Sequence, residues 1–205
     1  MHKFWLLLIR DAACNRLLYK IAVNTICLII IHIIFSFSIP LDILHKSAQS
    51  IFTVGMVLVL LLSLDQIAAD DIKDGTIDLL VSMKIKYKTI VLFKSINHFI
   101  AIMLPIAIVE FLVGFMFYKM DISGIAYSVA LKLMVMPTIS LVSVMTSFAT
   151  SGMRSVSMLF IFYFPLIIAP MLLINIAGNS HSMLPALMAY GGLGLLSLGL
   201  MKAFK

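Results

Sequence analysis

Long apolar stretches, separated by short polar breaks, make up most of the chain. Six of these stretches have the length of a membrane-spanning helix, because a helix needs ~20 apolar residues to cross a bilayer. The predicted spans cover about residues 21–39, 47–64, 95–118, 124–148, 155–176 and 184–201. The turn-forming run 178–182 divides the last two spans. The pattern predicts an all-α integral membrane protein with a single transmembrane domain over residues 1–205.

The composition agrees with this prediction. Hydrophobic residues make up 62% of the chain and charged residues 12%, which is outside the composition of soluble globular domains. Six spans with short loops occupy nearly all of the 205 residues, so we expect no soluble catalytic domain. The first long apolar run begins near Ile21 and exceeds the apolar region of a signal peptide, so we expect no cleavable signal.

Positive charges set the predicted orientation of the spans. The formal charge of +6 comes from Lys and Arg at the ends of apolar runs, a pattern that sets membrane topology and does not indicate nucleic-acid binding. With both termini in the cytoplasm, Lys46 and Lys119 lie on the far side and Lys132 lies within a span. The remaining positive charges are then cytoplasmic: Lys3, Arg10, Arg16, Lys20, Lys73, Lys84, Lys86, Lys88, Lys94, Arg154, Lys202 and Lys205.

The first 20 residues mix apolar and charged side chains. We predict an interfacial helix over residues 1–20 that lies on the cytoplasmic leaflet, with Trp5 at the level of the lipid headgroups. The charges do not fall cleanly on one helical face, so an irregular basic tail is the alternative.

The polar segment 65–94 interrupts the apolar pattern and is predicted to be cytoplasmic. Its first half contains five of the nine acidic residues. Asp74 and Gly75 form a turn pair, because Gly tolerates positive φ and Asp hydrogen-bonds to its own local backbone. Thr76 is expected to cap a short helix over residues 77–83.

This short helix has the pattern of a docking element. Ile77 and Leu80 fall on one face and Leu79 and Met83 on the next. Asp78 lies in the first turn, where the helix dipole favours a negative charge. Exposed apolar residues on a helix just outside the membrane suit a groove in a partner protein. The alternative is a solvated loop that only carries topology charges.

The acidic part of this segment resembles the CcmB family. Residues 70–80, Asp-Asp-Ile-Lys-Asp-Gly-Thr-Ile-Asp-Leu-Leu, are similar to the family segment Asp-Asp-x-x-Asp-Gly-(Ser/Thr)-(Leu/Ile)-(Glu/Asp)-x-Leu. The six spans agree with the same family, as do Pro137, Pro165 and Pro170 in the later spans. The resemblance extends over essentially the whole chain, and the acidic run is its one specific motif.

The resemblance implies the membrane subunit of an ABC transporter complex in c-type cytochrome biogenesis, with an ABC-2-type exporter-like fold. The membrane would be a bacterial inner membrane or, as the alternative, an organellar inner membrane. The implied partners are a CcmA-like ATPase, a heme-handling CcmC-like membrane protein, a small CcmD-like subunit and a second copy of the chain. The complex would export heme or release a heme-loaded chaperone, and the resemblance leaves open whether heme itself is moved.

ATP would bind to the partner ATPase. This chain has no Gly-x-x-x-x-Gly-Lys-(Ser/Thr) motif, so we expect that it is not an enzyme. The resemblance places the acidic run against the ATPase, where it would couple ATP hydrolysis to the membrane subunit. The implied coupling residues are Asp70, Asp71, Asp74, Gly75, Thr76, Asp78, Leu79 and Leu80.

The residues leave three other functions open. An ABC-2-type permease for another substrate would need the same docking segment, and so would a non-transporting membrane scaffold for an ATPase. A membrane enzyme is disfavoured, because the spans show no carboxylate pair, metal cluster or nucleophile–base set.

Glu110 and Lys132 are the charged residues within the predicted spans. Each lies eight residues from the far end of its span, or ~12 Å at ~1.5 Å per residue. Because neighbouring spans are antiparallel, the two charges would lie at the same depth. We predict a buried ion pair with a structural role, since a charge at membrane depth is costly unless it is paired.

The other metal-ligating side chains do not form a site in the sequence. His32 and His98 lie in or near spans, where we expect hydrogen-bonded interior residues. His45 and His181 fall on the far side, where a polar loop residue is favoured over an axial heme ligand. The fifteen methionines show no clustering, so we interpret them as packing side chains. No cofactor or metal is expected on this chain.

Overall fold

The computed structural model describes residues 15–150, 156–180 and 182–203, and every regular element in these ranges is a helix. The stretch Tyr87–Met116 is treated as one helix because its segments follow each other without a break. The helices are α1 Asn15–Ser38, α2 Leu41–Lys73, α3 Thr76–Ser82, α4 Tyr87–Met116, α5 Ile122–Thr150, α6 Val156–Ser180 and α7 Leu184–Ala203. The all-α prediction is confirmed for this part of the chain.

Four helices are long and apolar enough to cross a membrane by length and composition. Their apolar parts are Ile21–Ser38, Leu41–Ser63, Tyr87–Met116 and Ile122–Ala149. The apolar stretches described in α6 and α7 are shorter, at Pro165–Ser180 and Leu184–Gly199. The structure is therefore consistent with a membrane protein that has four strong candidate spans, and the set of six spans stays a prediction.

Several boundaries differ from those predicted. The polar segment 65–94 is divided among the end of α2, the short helix α3 and the beginning of α4. A helix continues beyond its apolar run while its N–H groups still find carbonyl partners, and α2 ends only at the turn that contains Gly75. Similarly, α6 continues to Ser180, so Gly178 is helical and the predicted turn 178–182 begins too early.

The amino-terminal prediction is only partly covered. Residues 15–20, the last six of the predicted interfacial helix, form the beginning of α1. Trp5 lies outside the described residues. The predicted interfacial helix therefore stays a prediction. His181, one of the two far-side histidines, also lies outside the described residues.

A π-helical turn interrupts α4 at Phe99–Met103. Pro105 lies two residues after its end. Proline has no N–H to donate and its ring clashes with the carbonyl four residues earlier, which here is the carbonyl of Ala101 inside the turn. The wider turn accommodates the proline without ending the helix.

The bundle has two ends, which we name by their elements. At the α3 end, α3 and its flanking turns join α2 to α4. At the opposite end, residues 39–40 join α1 to α2 and residues 117–121 join α4 to α5. Between the ends lies an apolar core, whose fully buried side chains include Phe52, Met56, Met103, Val135, Ile139 and Ile174.

Candidate functional site

The turn before α3 depends on a glycine. Gly75 has φ of +67°, a left-handed conformation that residues with a Cβ rarely adopt. Its carbonyl accepts a hydrogen bond from the N–H of Leu79 at 3.0 Å, so Gly75 is the N-cap residue and Thr76 is the first residue of α3. The predicted turn at Asp74-Gly75 is present. The prediction that Thr76 caps the helix is wrong, because the left-handed glycine occupies the cap position.

The other end of α3 is closed by a Schellman motif. Lys84 has φ of +59°, and its N–H donates to the carbonyl of Val81 at 2.9 Å. The next N–H, that of Ile85, donates to the carbonyl of Leu80 at 3.2 Å. These two bonds satisfy carbonyl groups that a helix end leaves unpaired. Both ends of α3 are therefore defined by backbone geometry.

Two buried side chains attach α3 to the bundle. A helix of seven residues is not stable alone in water. Ile77 and Leu80 are buried in an apolar cluster at the α3 end, which we call the anchor cluster. Its other members come from α4 and α5: Ile90, Val91, Phe93, Val144, Met145 and Phe148. Leu80, one of the predicted coupling residues, thus packs inside the chain.

The neighbouring face of α3 carries exposed apolar side chains. Leu79 is 59% exposed and Met83 is 48% exposed, and they are neighbours because they lie four residues apart on a helix. Val81 is also exposed. The charged side chains of Asp78 and Lys84 are exposed beside them. The docking face consists of Leu79 and Met83 with Asp78 and Lys84 beside them, a small apolar surface with one charge of each sign at its border.

The other predicted coupling residues have different surroundings. Asp71 forms an ion pair with Lys94 of α4, and both side chains are mostly buried. Asp74 is exposed at the turn, whereas the Asp70 side chain lies outside the described part of the chain. Sequence reasoning missed Lys94, because its pairing with Asp71 depends on how α4 returns beside α2.

The predicted ion pair between Glu110 and Lys132 is present in the bundle interior. The Lys132 ammonium donates a hydrogen bond from Nζ to Glu110 Oε1 at 2.9 Å, and both side chains are fully buried. Nζ also lies 5.0 Å from the ring centroid of Phe52, within the range of a cation–π interaction. The pair links α4 to α5, and each charge compensates the cost of burying the other.

An aromatic group lies beside this ion pair. His32 Nδ1 and the Tyr118 hydroxyl share a hydrogen bond of 2.8 Å. The rings of Phe52 and Tyr118 stack with centroids 5.1 Å apart, and the ring of His32 packs edge-on against Phe52. The prediction that His32 is a hydrogen-bonded interior residue is confirmed. The group connects α1 and α2 to the residues that follow α4, next to Lys132.

His98 is also an interior hydrogen-bonded residue, as predicted. Its Nδ1 lies 2.9 Å from the Ser140 hydroxyl and its Nε2 lies 3.2 Å from the Ser63 hydroxyl. The far-side residue His45 is exposed, and its Nδ1–H donates to the backbone carbonyl of Tyr118 at 3.3 Å. In the described residues, the His, Cys, Asp and Glu side chains form no group of three that could hold a metal ion.

A polar cavity at the opposite end was not predicted from the sequence. It has a volume of about 180 Å³ and lies between the ends of α2, α5 and α6. Its polar lining includes Lys46, Gln49 and Ser128. These residues come from helices that are distant in the sequence, and no local motif marks them.

Comparison with protein families gives a match over nearly the whole chain. A family model described as CcmB protein matches residues 2–203. The matched range includes the acidic run, the docking face and the interior ion pair.

Two curated relatives match parts of the chain. The protein named "Heme exporter protein B" from Rhodobacter capsulatus is 39% identical over 67 residues, which are 33% of this chain and 31% of that protein. The protein of the same name from Paracoccus denitrificans is 33% identical over 113 residues, which are 54% of this chain and 50% of that protein. The matched parts thus cover half or less of these relatives' lengths.

Proposed function

The chain belongs to the CcmB family, and on this premise we propose that it is the membrane subunit of an ABC transporter complex in c-type cytochrome biogenesis. The complex exports heme or releases a heme-loaded chaperone. The names of the two relatives, both heme exporter protein B, support heme as the cargo. The observation on this chain that carries the proposal is the docking face, which α3 presents at one end of an otherwise apolar bundle.

The proposed topology has six spans. The four strong candidate spans are completed by α6 and α7, which are helices of 25 and 20 residues and thus long enough for a bilayer at ~1.5 Å per residue. Both termini then lie in the cytoplasm of a bacterium, the chain lies in the inner membrane, and the α3 end is cytoplasmic. The excess of Lys and Arg on that side supports this orientation.

The proposed coupling acts through the anchor cluster. An ATPase subunit that binds Leu79 and Met83 pulls or pushes on α3 when its shape changes. Ile77 and Leu80 fix α3 to α4 and α5, and close-packed interiors transmit displacement instead of absorbing it. A movement of the ATPase therefore reaches the two helices that also carry the interior ion pair.

The proposed complex contains further subunits. A CcmA-like ATPase binds ATP, a CcmC-like membrane protein handles heme, and a small CcmD-like subunit accompanies them. A second copy of this chain completes the membrane part of the complex. These partners rest on membership of the family.

The test is co-purification with the co-expressed ATPase in detergent. The variant Leu79→Ala/Met83→Ala removes the two apolar side chains of the docking face. Its matched control is Met183→Ala/Leu184→Ala at the opposite end, where the same two residue types are 58% and 60% exposed. We expect the α3 variant to lose the ATPase and the control to retain it.

The comparison between the α3 variant and its control is valid if both variants insert into the membrane at wild-type levels. Loss of the ATPase from both variants, or from neither, would contradict docking through α3. Retention of the ATPase without any effect of its activity on heme or chaperone release would support the scaffold alternative.

A further inference from the structure

The polar cavity at the opposite end contains an unsatisfied hydrogen-bond donor. Gln49 is 93% buried, since its relative exposure is 7%, and it lines the cavity. Its Oε1 accepts a hydrogen bond from the hydroxyl of Ser128. Its Nε2 is buried and has no hydrogen-bond partner among the described residues. Because a buried amide donor without an acceptor is costly, this group indicates a place for an acceptor.

The charge of the cavity has one sign. Lys46 is the one formally charged residue among the described residues that line it, and none of those residues is acidic. His45 also lines the cavity, and its Nδ1–H donates to the carbonyl of Tyr118, which leaves Nε2 on the other side of the ring. The donors of Lys46 and Gln49 therefore favour a ligand group that accepts hydrogen bonds and carries a negative charge.

The close contact between Gln49 and α6 depends on Gly178. A Cβ at residue 178 would lie 2.7 Å from Cδ and Nε2 of Gln49, closer than any real contact. Glycine thus leaves space for the Gln49 amide between α2 and α6. A substitution there would displace the amide without changing any charge.

We propose that this cavity binds a carboxylate group. The single ammonium matches one negative charge, and the Gln49 amide supplies a directed hydrogen bond to one carboxylate oxygen. A volume of about 180 Å³ holds a carboxylate with a short stem, and the body of a larger ligand stays outside the opening. Resting on the proposed function, the carboxylate is a propionate of the exported porphyrin; a free short-chain carboxylate is the other source of the same chemistry.

The test uses the purified full-length chain in nanodiscs and metal-free protoporphyrin IX, which excludes ligation of iron by His45. Fluorescence titration compares the diacid with its dimethyl ester, which keeps the ring and lacks the charges. We expect the diacid to bind about tenfold more tightly, as one charge-assisted hydrogen-bonded contact would give. Empty nanodiscs give the background for both compounds.

Three variants locate the effect. Lys46→Met and Gly178→Ala are expected to reduce the preference for the diacid to near one. Lys119→Met is the matched control, because Lys119 is exposed at the same end and does not line the cavity. Lys46 is itself exposed, so its substitution leaves the packed core unchanged and the test does not depend on the Gly178 variant folding.

Each outcome decides one point. Equal binding of diacid and ester, or equal effects of Lys46→Met and Lys119→Met, would overturn the proposal. Competition by millimolar propionate as strong as that by the porphyrin supports the carboxylate site and assigns it to small carboxylates. If the ATPase fails to bind α3 while the diacid preference persists, the proposed function fails and the cavity proposal stands.

Discussion

Two lysine–carboxylate pairs lie in different parts of the bundle, and they show how the surroundings of an ion pair determine its role. Glu110 and Lys132 are enclosed by apolar and aromatic side chains between α4 and α5. Asp71 and Lys94 join α2 to α4 beside the turn that leads to α3. The first pair lies wholly in the bundle interior and links α4 to α5. The second lies at the edge of a surface whose other charges remain exposed, so that end is suited to recognition.

Breaking the interior pair should have the largest effect. Glu110→Gln or Lys132→Met leaves one charge unpaired in an apolar interior, and we expect a loss of about 3–5 kcal/mol of stability for either single variant. The measurement is the thermal stability of the detergent-purified protein, with the folded fraction monitored by gel filtration after heating. The double variant should be more stable than the worse single variant, because it leaves no unpaired charge. A double variant that is as unstable as the sum of both would mean that the pair is not coupled.

The next largest effect should separate the anchor cluster from the docking face. Leu80→Ala removes a buried side chain and should lower the stability of α3 by about 2–3 kcal/mol. Leu79→Ala removes an exposed side chain and should change it by less than about 0.5 kcal/mol. Hydrogen exchange of the α3 amide groups measures both. Equal protection losses in the two variants would show that α3 is not held through Leu80.

A smaller effect is expected at the turn before α3. Gly75→Ala must adopt positive φ at a position where a Cβ meets no neighbour within 4 Å, so the penalty is conformational only and should be about 1 kcal/mol. Gly75→Asn is the matched control, because Asn tolerates the left-handed region better than Ala. Hydrogen exchange at Leu79 and the other α3 amides reports the difference. Identical behaviour of both variants would contradict the role of φ.

The smallest effect should come from the pair at the α3 end. Asp71→Asn keeps a side-chain oxygen that can accept a hydrogen bond from the mostly buried Lys94, so we expect a loss of only about 0.5 kcal/mol, part of which is screened at high salt. Thermal stability at low and at high salt concentration tests this. A loss as large as that of Glu110→Gln would remove the contrast between the two pairs.

The sequence predicted those features that depend on local order. Counting residues from the span ends placed Glu110 and Lys132 at one depth, and the Asp-Gly pair indicated a turn before a short helix. The capping role of Thr76 was wrong, because Gly75, which takes the positive φ of the turn, is itself the N-cap residue. The cavity could not be predicted, because Gln49 and Gly178 meet only when α2 packs against α6.

The π-helical turn in α4 sets the angular relationship between the two ends of that helix. One such turn accommodates an extra residue, so the segments on its two sides are rotated by about 100° relative to an uninterrupted α-helix. Lys94 precedes the turn and Glu110 follows it. Without this offset, one of the two side chains would point about 100° away from its present direction. The turn before Pro105 therefore sets the two directions in which Lys94 meets Asp71 of α2 and Glu110 meets Lys132 of α5.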